Sequence, residues 1–484
     1  MNPPLYLIAG LGKTGLSVAR YLRRNNKPFI AFDTRAQAPG IAEFTREFPN
    51  VSLYIQNIPD EIIFQLSDIV ASPGLSLDTP FLKKAMKAGV SIYGDIECLA
   101  REIHAPVIAI TGTNGKSTVT TLVGEMAKAA GYKVAVAGNI GTPVLDMLND
   151  EHQYDLWVLE LSSFQLDLTY SLEPIAATIL NVTPDHLDRH HTMEAYIQAK
   201  QRIYHKARVA LFNRDDFYTV PMTSSHDDAK ISQELSTNKT SSILREPLSH
   251  ACSEREKEEI HLRGNVNRIS FGKDAPEKNN WGLINQENKI YLAKGHTCFL
   301  PVESVLIKGV HNWFNALAAC ALADIAGITQ QHIIEVLTTF TGLPHRCQWV
   351  RTLDGVDWIN DSKGTNIGAT ISAINGIGGS MQGKIVLIAG GQGKGADFKE
   401  LTQPIADFVR SIVLIGEDAD KIEAALANVV PISRASSLDN AVEVAKLQAK
   451  PGDVVLLSPA CASLDMFRDF NHRGEAFASL VNGL

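Results

Sequence analysis

Short apolar runs recur along this chain, each closing on Gly, Asn, Asp or Ser and each followed by a stretch with helical spacing. Such alternation predicts βαβ units around parallel sheets, and so an α/β fold. The first block holds LYLIAG (5–10), an amphipathic stretch near 15–24, PFIAFDTR (28–35), DIVASPG (68–74), a helix-like FLKKAMKAG (81–89) and SIYGD (91–95). The second holds VIAI (107–110), KVAVAGN (133–139), LWVLELSS (156–163), IAATILNVTPDH (175–186) and a long helix, HNWFNALAACALADIAG (311–327). A third starts near Gly342 with VDWIND (356–361), KIVLIAGGQGKG (384–395), SIVLIGE (411–417) and VVLLSPACASLD (454–465). No fixed-period repeat links the blocks. Three domains are expected: a Rossmann-like 1–95, a central 96–342 with a P-loop ATPase-type parallel sheet, and a Rossmann-like 343–484. Between about 221 and 263 the chain turns polar (SSHDDAK, STNKTSS, SEREKEE), which predicts an exposed insertion.

Length agrees with that division, since 484 residues at roughly 150 per domain give about three. Charge narrows the partners: 45 basic against 53 acidic residues leave −8, with no global basic footprint for nucleic acid. The six cysteines, Cys98, Cys252, Cys298, Cys320, Cys347 and Cys461, contain no CxxC pair, so neither a disulfide scaffold nor a cysteine zinc site is expected. The opening MNPPLYLIAG lacks a basic n-region, and no apolar run approaches 18 residues. A soluble cytoplasmic protein is the expectation.

TGTNGKST (111–118) is the most informative stretch. A strand, a Gly-rich loop and a helix start present free N–H groups to an anion, aided by the helix dipole. Lys116 would reach the β- and γ-phosphates, and Ser117 or Thr118 would offer a hydroxyl to Mg²⁺. The loop is shorter than the common P-loop: position 110 is isoleucine, and Gly112 stands three residues before Gly115. Glu160, closing LWVLE, is placed to hold Mg²⁺ from the end of a neighbouring strand. In NVTPDHLDRHH, His186 is the ligand or base candidate, and His190 and His191 read as surface residues of a turn. GLGKTG (10–15) with Asp33 matches a dinucleotide fingerprint, although the same turn binds any diphosphate. A dehydrogenase fused to an NTPase therefore stays open at this point. The third-block loops, at 360–363, 390–395 and 458–465, could line a cleft or be simple turns.

Together GLGKTGLS, DTR, ASPG, GDIE, TGTNGKSTVTTLVGEM, GNIG, LELSSFQL, ATILNVTPDHLDR, FTGLPHR, INDSKGTN, GKGADF and LLSPACASLDMF resemble, in order, the Mur ligases of bacterial cell-wall synthesis. The likeness is greatest to the D-glutamate-adding branch, and a ligase for another amino acid or folate is the alternative. The resemblance implies ATP-dependent amide formation through an acyl phosphate, from UDP-N-acetylmuramoyl-L-alanine and D-glutamate, by a monomer with no nucleic-acid or membrane partner. It implies that Gly112, Thr113, Asn114, Gly115, Lys116, Ser117 and Thr118 hold ATP with Asn312, Asn315, Arg346 and Asp361. Two Mg²⁺ ions would be held by Ser117, Glu160, His186 and a carbamate on Lys200. Gly12, Lys13, Thr14, Asp33, Thr34, Arg35, Ser72, Gly74 and Asn139 would take the UDP substrate. Lys363, Thr365, Lys394, Ser463, Leu464 and Phe470 would take D-glutamate, whose side-chain carboxylate needs paired cations on desolvation. Hinge closure near 95 and 342 is expected.

Overall fold

A computed structural model describes residues 4–148, 153–222, 266–307, 309–379, 381–393 and 397–484. Most of the polar insertion and Lys394 lie outside the described residues. The chain divides into two compact units, 1–282 with 294–296 and 318–332, and 283–293 with 297–317 and 333–484. The first holds the whole first block and most of the second.

In the first unit a five-stranded sheet runs in the order Leu53–Ile55, Phe29–Asp33, Leu5–Ala9, Leu66–Ala71, Ser91–Tyr93, with every pairing parallel. Its strands carry apolar residues on both faces because helices cover both. The helix Lys13–Arg24 buries Leu16, Val18, Ala19 and Leu22 on one side and places Arg23 and Arg24 at its negative end. Each large aliphatic side chain so buried contributes about 1.5–3 kcal/mol. The helix Pro80–Lys87 starts on its proline, whose missing N–H costs nothing at a first turn.

The second sheet is ordered Val134–Gly138, Leu156–Glu160, Val107–Thr111, Ala176–Ile179, Val209–Asn213, Asn267–Phe271, then Trp281–Gln286, Lys289–Lys294 and Thr297–Pro301. The first six strands are parallel. The order reverses around Val107–Thr111, whose neighbours on either side come later in the chain. In open α/β sheets that reversal opens a crevice at the strands' carboxyl ends. The register aligns Ile110 with Glu160 and Thr111 with Ile179, so three loops leave the sheet side by side there.

The segment between these sheets is tied down. Gly94 N–H donates to Leu168 O at 2.9 Å, and buried Glu97 accepts the Tyr170 and Ser171 N–H groups at 2.7 and 2.8 Å. These bonds tie the segment after 94 to the 168–171 turn.

In the second unit a six-stranded sheet runs Gln348–Leu353, Val356–Asn360, Val454–Leu457, Ile385–Gly390, Val409–Ile415, Ile432–Arg434. It is parallel except for its first pair, which is antiparallel. Among the described residues no helix is long and apolar enough to cross a membrane.

Candidate functional site

The loop after Val107–Thr111 folds as its glycines require. Gly112 has φ +155° and Gly115, at the helix N-cap, φ +82°. Both lie in the left-handed half of φ space, where a side chain is strained. Lys116 begins the helix Lys116–Ala129, whose first turn carries no acid. Its Nζ donates to the Gly112 and Thr113 carbonyls, both at 2.9 Å. Asn181, leaving the next strand, fixes the loop from outside: its Oδ1 accepts Asn114 N–H at 2.8 Å and its Nδ2 donates to Asn114 O at 3.1 Å. The N–H groups of a helix start are thereby held ready for an anion. Ser117 and Thr118 are half-buried in the helix's first turn.

Glu160 is buried at 1% exposure. Its Oε1 accepts Asn139 Nδ2 at 3.0 Å, whereas Oε2 is buried without a hydrogen-bond partner. Such a carboxylate oxygen is costly unless a cation satisfies it.

Lys200, on Met193–Gln201, is buried at 2% exposure, and its Nζ donates to the same Gly112 carbonyl at 2.9 Å. The ammonium lies over the Tyr196 ring, 4.5 Å from its centroid. Burial pushes its pKa down to about 7, with Lys116 acting the same way and Asp185 opposing. Tyr196 Oη lies 3.2 Å from Thr113 Oγ1, so this helix grips the loop twice.

His186 adopts φ +53°, exposes half its ring, and sets it 5.1 Å from Phe164. His190, expected at the surface, is instead buried, and its Nε2 lies 2.9 Å from Ser163 Oγ. The physical reason is aromatic: the ring stacks on Phe164 at 5.2 Å and packs against Tyr196 at 5.3 Å. Burial, reinforced by the cations around it, lowers its pKa to about 4. His191 stays exposed, 3.6 Å from Asp78.

In the first block, Asp33 organises its surroundings. Its Oδ2 accepts Leu11 N–H at 2.7 Å, and Arg35 binds back to both carboxylate oxygens at 3.0 and 2.9 Å. These bonds hold its carboxyl below the usual range against the opposing effect of burial. Gly12 caps Lys13–Arg24 without a side chain, which leaves the start of a 12-residue helix open beside Thr14. A Cβ on Gly10 would stand 2.8 Å from Ser72 Cβ, so the two loops need that glycine. Arg189 donates to Gly74 O at 2.9 Å and Leu75 O at 3.2 Å, joining the 72–75 turn to the His186 segment.

In the second unit Asn315 Nδ2 donates to Asn312 Oδ1 at 2.9 Å, both buried. Asp361 is buried as well; it accepts Ser458 Oγ at 2.7 Å and Cys347 N–H at 3.1 Å, and burial raises its pKa to about 6. Beside it Arg346 N–H donates to Leu343 O. Exposed Lys363 sets its Nζ 5.3 Å from the Phe470 ring centre, and Thr365 N–H donates to Lys363 O at 2.8 Å. Ser463 is buried and Leu464 is 62% exposed.

Three family models match in sequence order: "Mur ligase MurD-like, N-terminal domain" over 5–94, "Mur ligase middle domain" over 110–323 and "Mur ligase, glutamate ligase domain" over 345–461. This chain belongs to the Mur ligase family. A relative from Legionella pneumophila (strain Paris), named UDP-N-acetylmuramoylalanine–D-glutamate ligase, is 72% identical over the full length of both chains. Relatives of the same name from Pseudomonas aeruginosa and Marinobacter nauticus are 44% and 46% identical over 99% of this chain and 98% of their own. Among solved structures, a pseudomurein peptide ligase type C from Methanothermus fervidus aligns with TM-score 0.53 at 17% identity, covering 99% of each chain. UDP-N-acetylmuramate-alanine ligase MurC from Thermotoga maritima aligns at 0.50 and 16%, again over 99% of each, and these two likenesses speak for the fold. Because GLGKTG falls inside a Mur ligase N-terminal match, the dehydrogenase alternative is overturned.

In this Mur ligase the donors fit a magnesium ion that keeps water or phosphate oxygens among its ligands. Mg²⁺ typically takes only one or two protein carboxylates, with waters or phosphate oxygens beside them. The orphaned Glu160 oxygen would supply one. Sequence reasoning missed His190, Tyr196, Phe164, Arg189 and Asn181. Tyr196 left a signal, four residues before Lys200 and therefore on the same helix face, and Phe164, Asn181 and Arg189 stand in the quoted LELSSFQL and ATILNVTPDHLDR.

Proposed function

We propose that this Mur ligase joins D-glutamate to UDP-N-acetylmuramoyl-L-alanine at the expense of ATP, as a monomer in the cytoplasm, for peptidoglycan precursor synthesis. The full-length 72% identity to relatives carrying that activity in their name is the observation that supports it most. An acceptor carboxylate oxygen attacks the γ-phosphorus, ADP leaves, and an acyl phosphate forms. The D-glutamate amine then attacks the acyl carbon, loses a proton, and expels inorganic phosphate from a tetrahedral intermediate.

Each residue's part follows from charge. Two anions meet in the first step, so Lys116 and the N–H groups of 112–118 must balance charge on the transferring group. Magnesium, when bound, adds Lewis-acid stabilisation of the phosphoryl oxygens. Ser117 and Glu160 would hold one ion, and His186 with a carbamate on Lys200 a second. Lys200 suits that role because its amine is buried, shares a carbonyl with Lys116, and has a pKa of about 7. Its neutral nitrogen adds to CO₂ and releases a proton, which replaces a second cation by an anion. Gly12, Lys13, Thr14, Asp33, Thr34, Arg35, Ser72, Gly74 and Asn139 take the UDP substrate. Asn312 and Asn315 take adenine, with Arg346 and Asp361 beside the ribose and phosphates. Lys363, Thr365, Lys394, Ser463, Leu464 and Phe470 take D-glutamate.

Phosphate release with UDP-N-acetylmuramoyl-L-alanine, ATP and a panel of amino acids tests the proposal. D-Glutamate should support turnover. Release driven instead by L-lysine, or by folate in place of the UDP acceptor, would assign the chain to another ligase of the superfamily.

A further inference from the structure

His190 is a buried polar group to which the proposed chemistry gives no part. It is 9% exposed, and its ring lies between two aromatic side chains from different elements. On one side is Phe164, stacked nearly parallel to it at 12°, whose ring also meets His186. On the other is Tyr196, whose face carries the Lys200 ammonium and whose hydroxyl touches Thr113. The Nε2–Ser163 Oγ contact then fixes the rotation of the ring, and Ser163 stands three residues beyond Glu160. The imidazole therefore touches both aromatics that support two candidate ligands, without being a ligand itself.

We propose that His190 is a positioning residue: its ring wedges Phe164 against Tyr196, so that His186 and Lys200 are presented to the 112–118 loop and Lys200 is kept from water. Rings in such stacks attract one another beyond the area they bury. Removing one leaves a gap that rotamer changes of Phe164 and Tyr196 can fill. Phenylalanine at 190 keeps the wedge and gives up only the Ser163 contact. This inference rests on the roles proposed for His186 and Lys200.

The test compares wild type, His190→Phe and His190→Ala in the full-length protein. The rate at which an amine-acylating reagent modifies Lys200 in CO₂-depleted, metal-free buffer, read by mass spectrometry against exposed Lys128, needs neither metal nor carbamate. We expect at least about a tenfold faster modification of Lys200 in His190→Ala, wild-type protection in His190→Phe, and an unchanged rate at Lys128. In turnover, His190→Ala should raise the half-saturating Mg²⁺ concentration several-fold and lower kcat, leaving the KM for D-glutamate unmoved. A purely structural residue would lower Tm in both variants without moving the Mg²⁺ requirement. Equal Lys200 protection in all three proteins, or equal loss in both variants, overturns the wedge. If His190→Ala fails to fold, His190→Leu, which fills space without stacking, takes its place with the same expected outcomes. Labelling wild type with ¹³CO₂ separates the two ideas. A missing carbamate removes the role proposed for Lys200, whereas a missing acylation contrast removes the role of His190.

Discussion

Lys200 offers the sharpest test of the proposed chemistry. A pKa moved from 10.5 to about 7 corresponds to about 5 kcal/mol disfavouring the ammonium, in keeping with a side chain only 2% exposed. At about pH 8 some 90% of such amines are neutral, against about 0.3% of ordinary lysines, so the CO₂-reactive form is about 300-fold more abundant. The protein equilibrated with ¹³C-bicarbonate should therefore show one carbamate carbon resonance, absent from Lys200→Ala and Lys200→Arg. It should fade as pH falls through about 7, where the amine takes up its proton. Lys200→Ala should lose about two orders of magnitude in kcat, and added acetate or formate should restore part of it by standing in for the carbamate. Wild type without that resonance, with turnover indifferent to CO₂ depletion, would refute the reasoning. So would a Lys200→Ala variant with normal kcat.

Further consequences can be checked on single variants. Lys116→Ala should cost more than about tenfold in kcat by steady-state phosphate release, because the lysine acts on transition-state charge. Glu160→Gln should abolish most Mg²⁺-dependent turnover while Tm holds or rises, since it removes a buried, half-satisfied carboxylate. Gly15→Ala should destabilise by about 2 kcal/mol or more in urea titration, because its Cβ would come within 2.0 Å of Gly10 O. The folded-state pKa of His190, about 4, lies below the unfolded value of 6.5. The unfolded chain thus binds more protons between those limits, and stability should rise with pH across them by up to about 3 kcal/mol. His190→Phe should flatten that rise in denaturant melts at several pH values.

The sheets were legible because parallel strands buried on both faces read as unbroken apolar runs, and LYLIA, VIAIT and IVLIAG all form strands. Lys116 and Glu160 were legible for the same reason, since each closes or follows such a run and the sheet carries it to a known edge. Lys200 was different. Nothing in EAYIQAKQRIY separates a buried lysine from a solvated one; only the resemblance singled it out, and burial depends on Gly112, 88 positions earlier. His190 was misread because two adjacent histidines after an Asp-Arg pair look like a polar turn. Its burial comes from Phe164 and Tyr196, which no local pattern connects. Asp33 was legible as a strand-end acid, but its bonding to Leu11 and Arg35 depends on the folded loop.

The carboxylate of Glu97 has a thermodynamic consequence for turnover. Its Oε2 ties the 170–171 backbone to the end of the first sheet's last connection, and so the GLGKTG lobe to the lobe carrying Lys116. An acceptor so buried is little screened by salt, so these bonds should persist across ionic strengths. The entropy of ordering the 168–171 turn is then lost once, as the chain folds, rather than anew in every catalytic cycle.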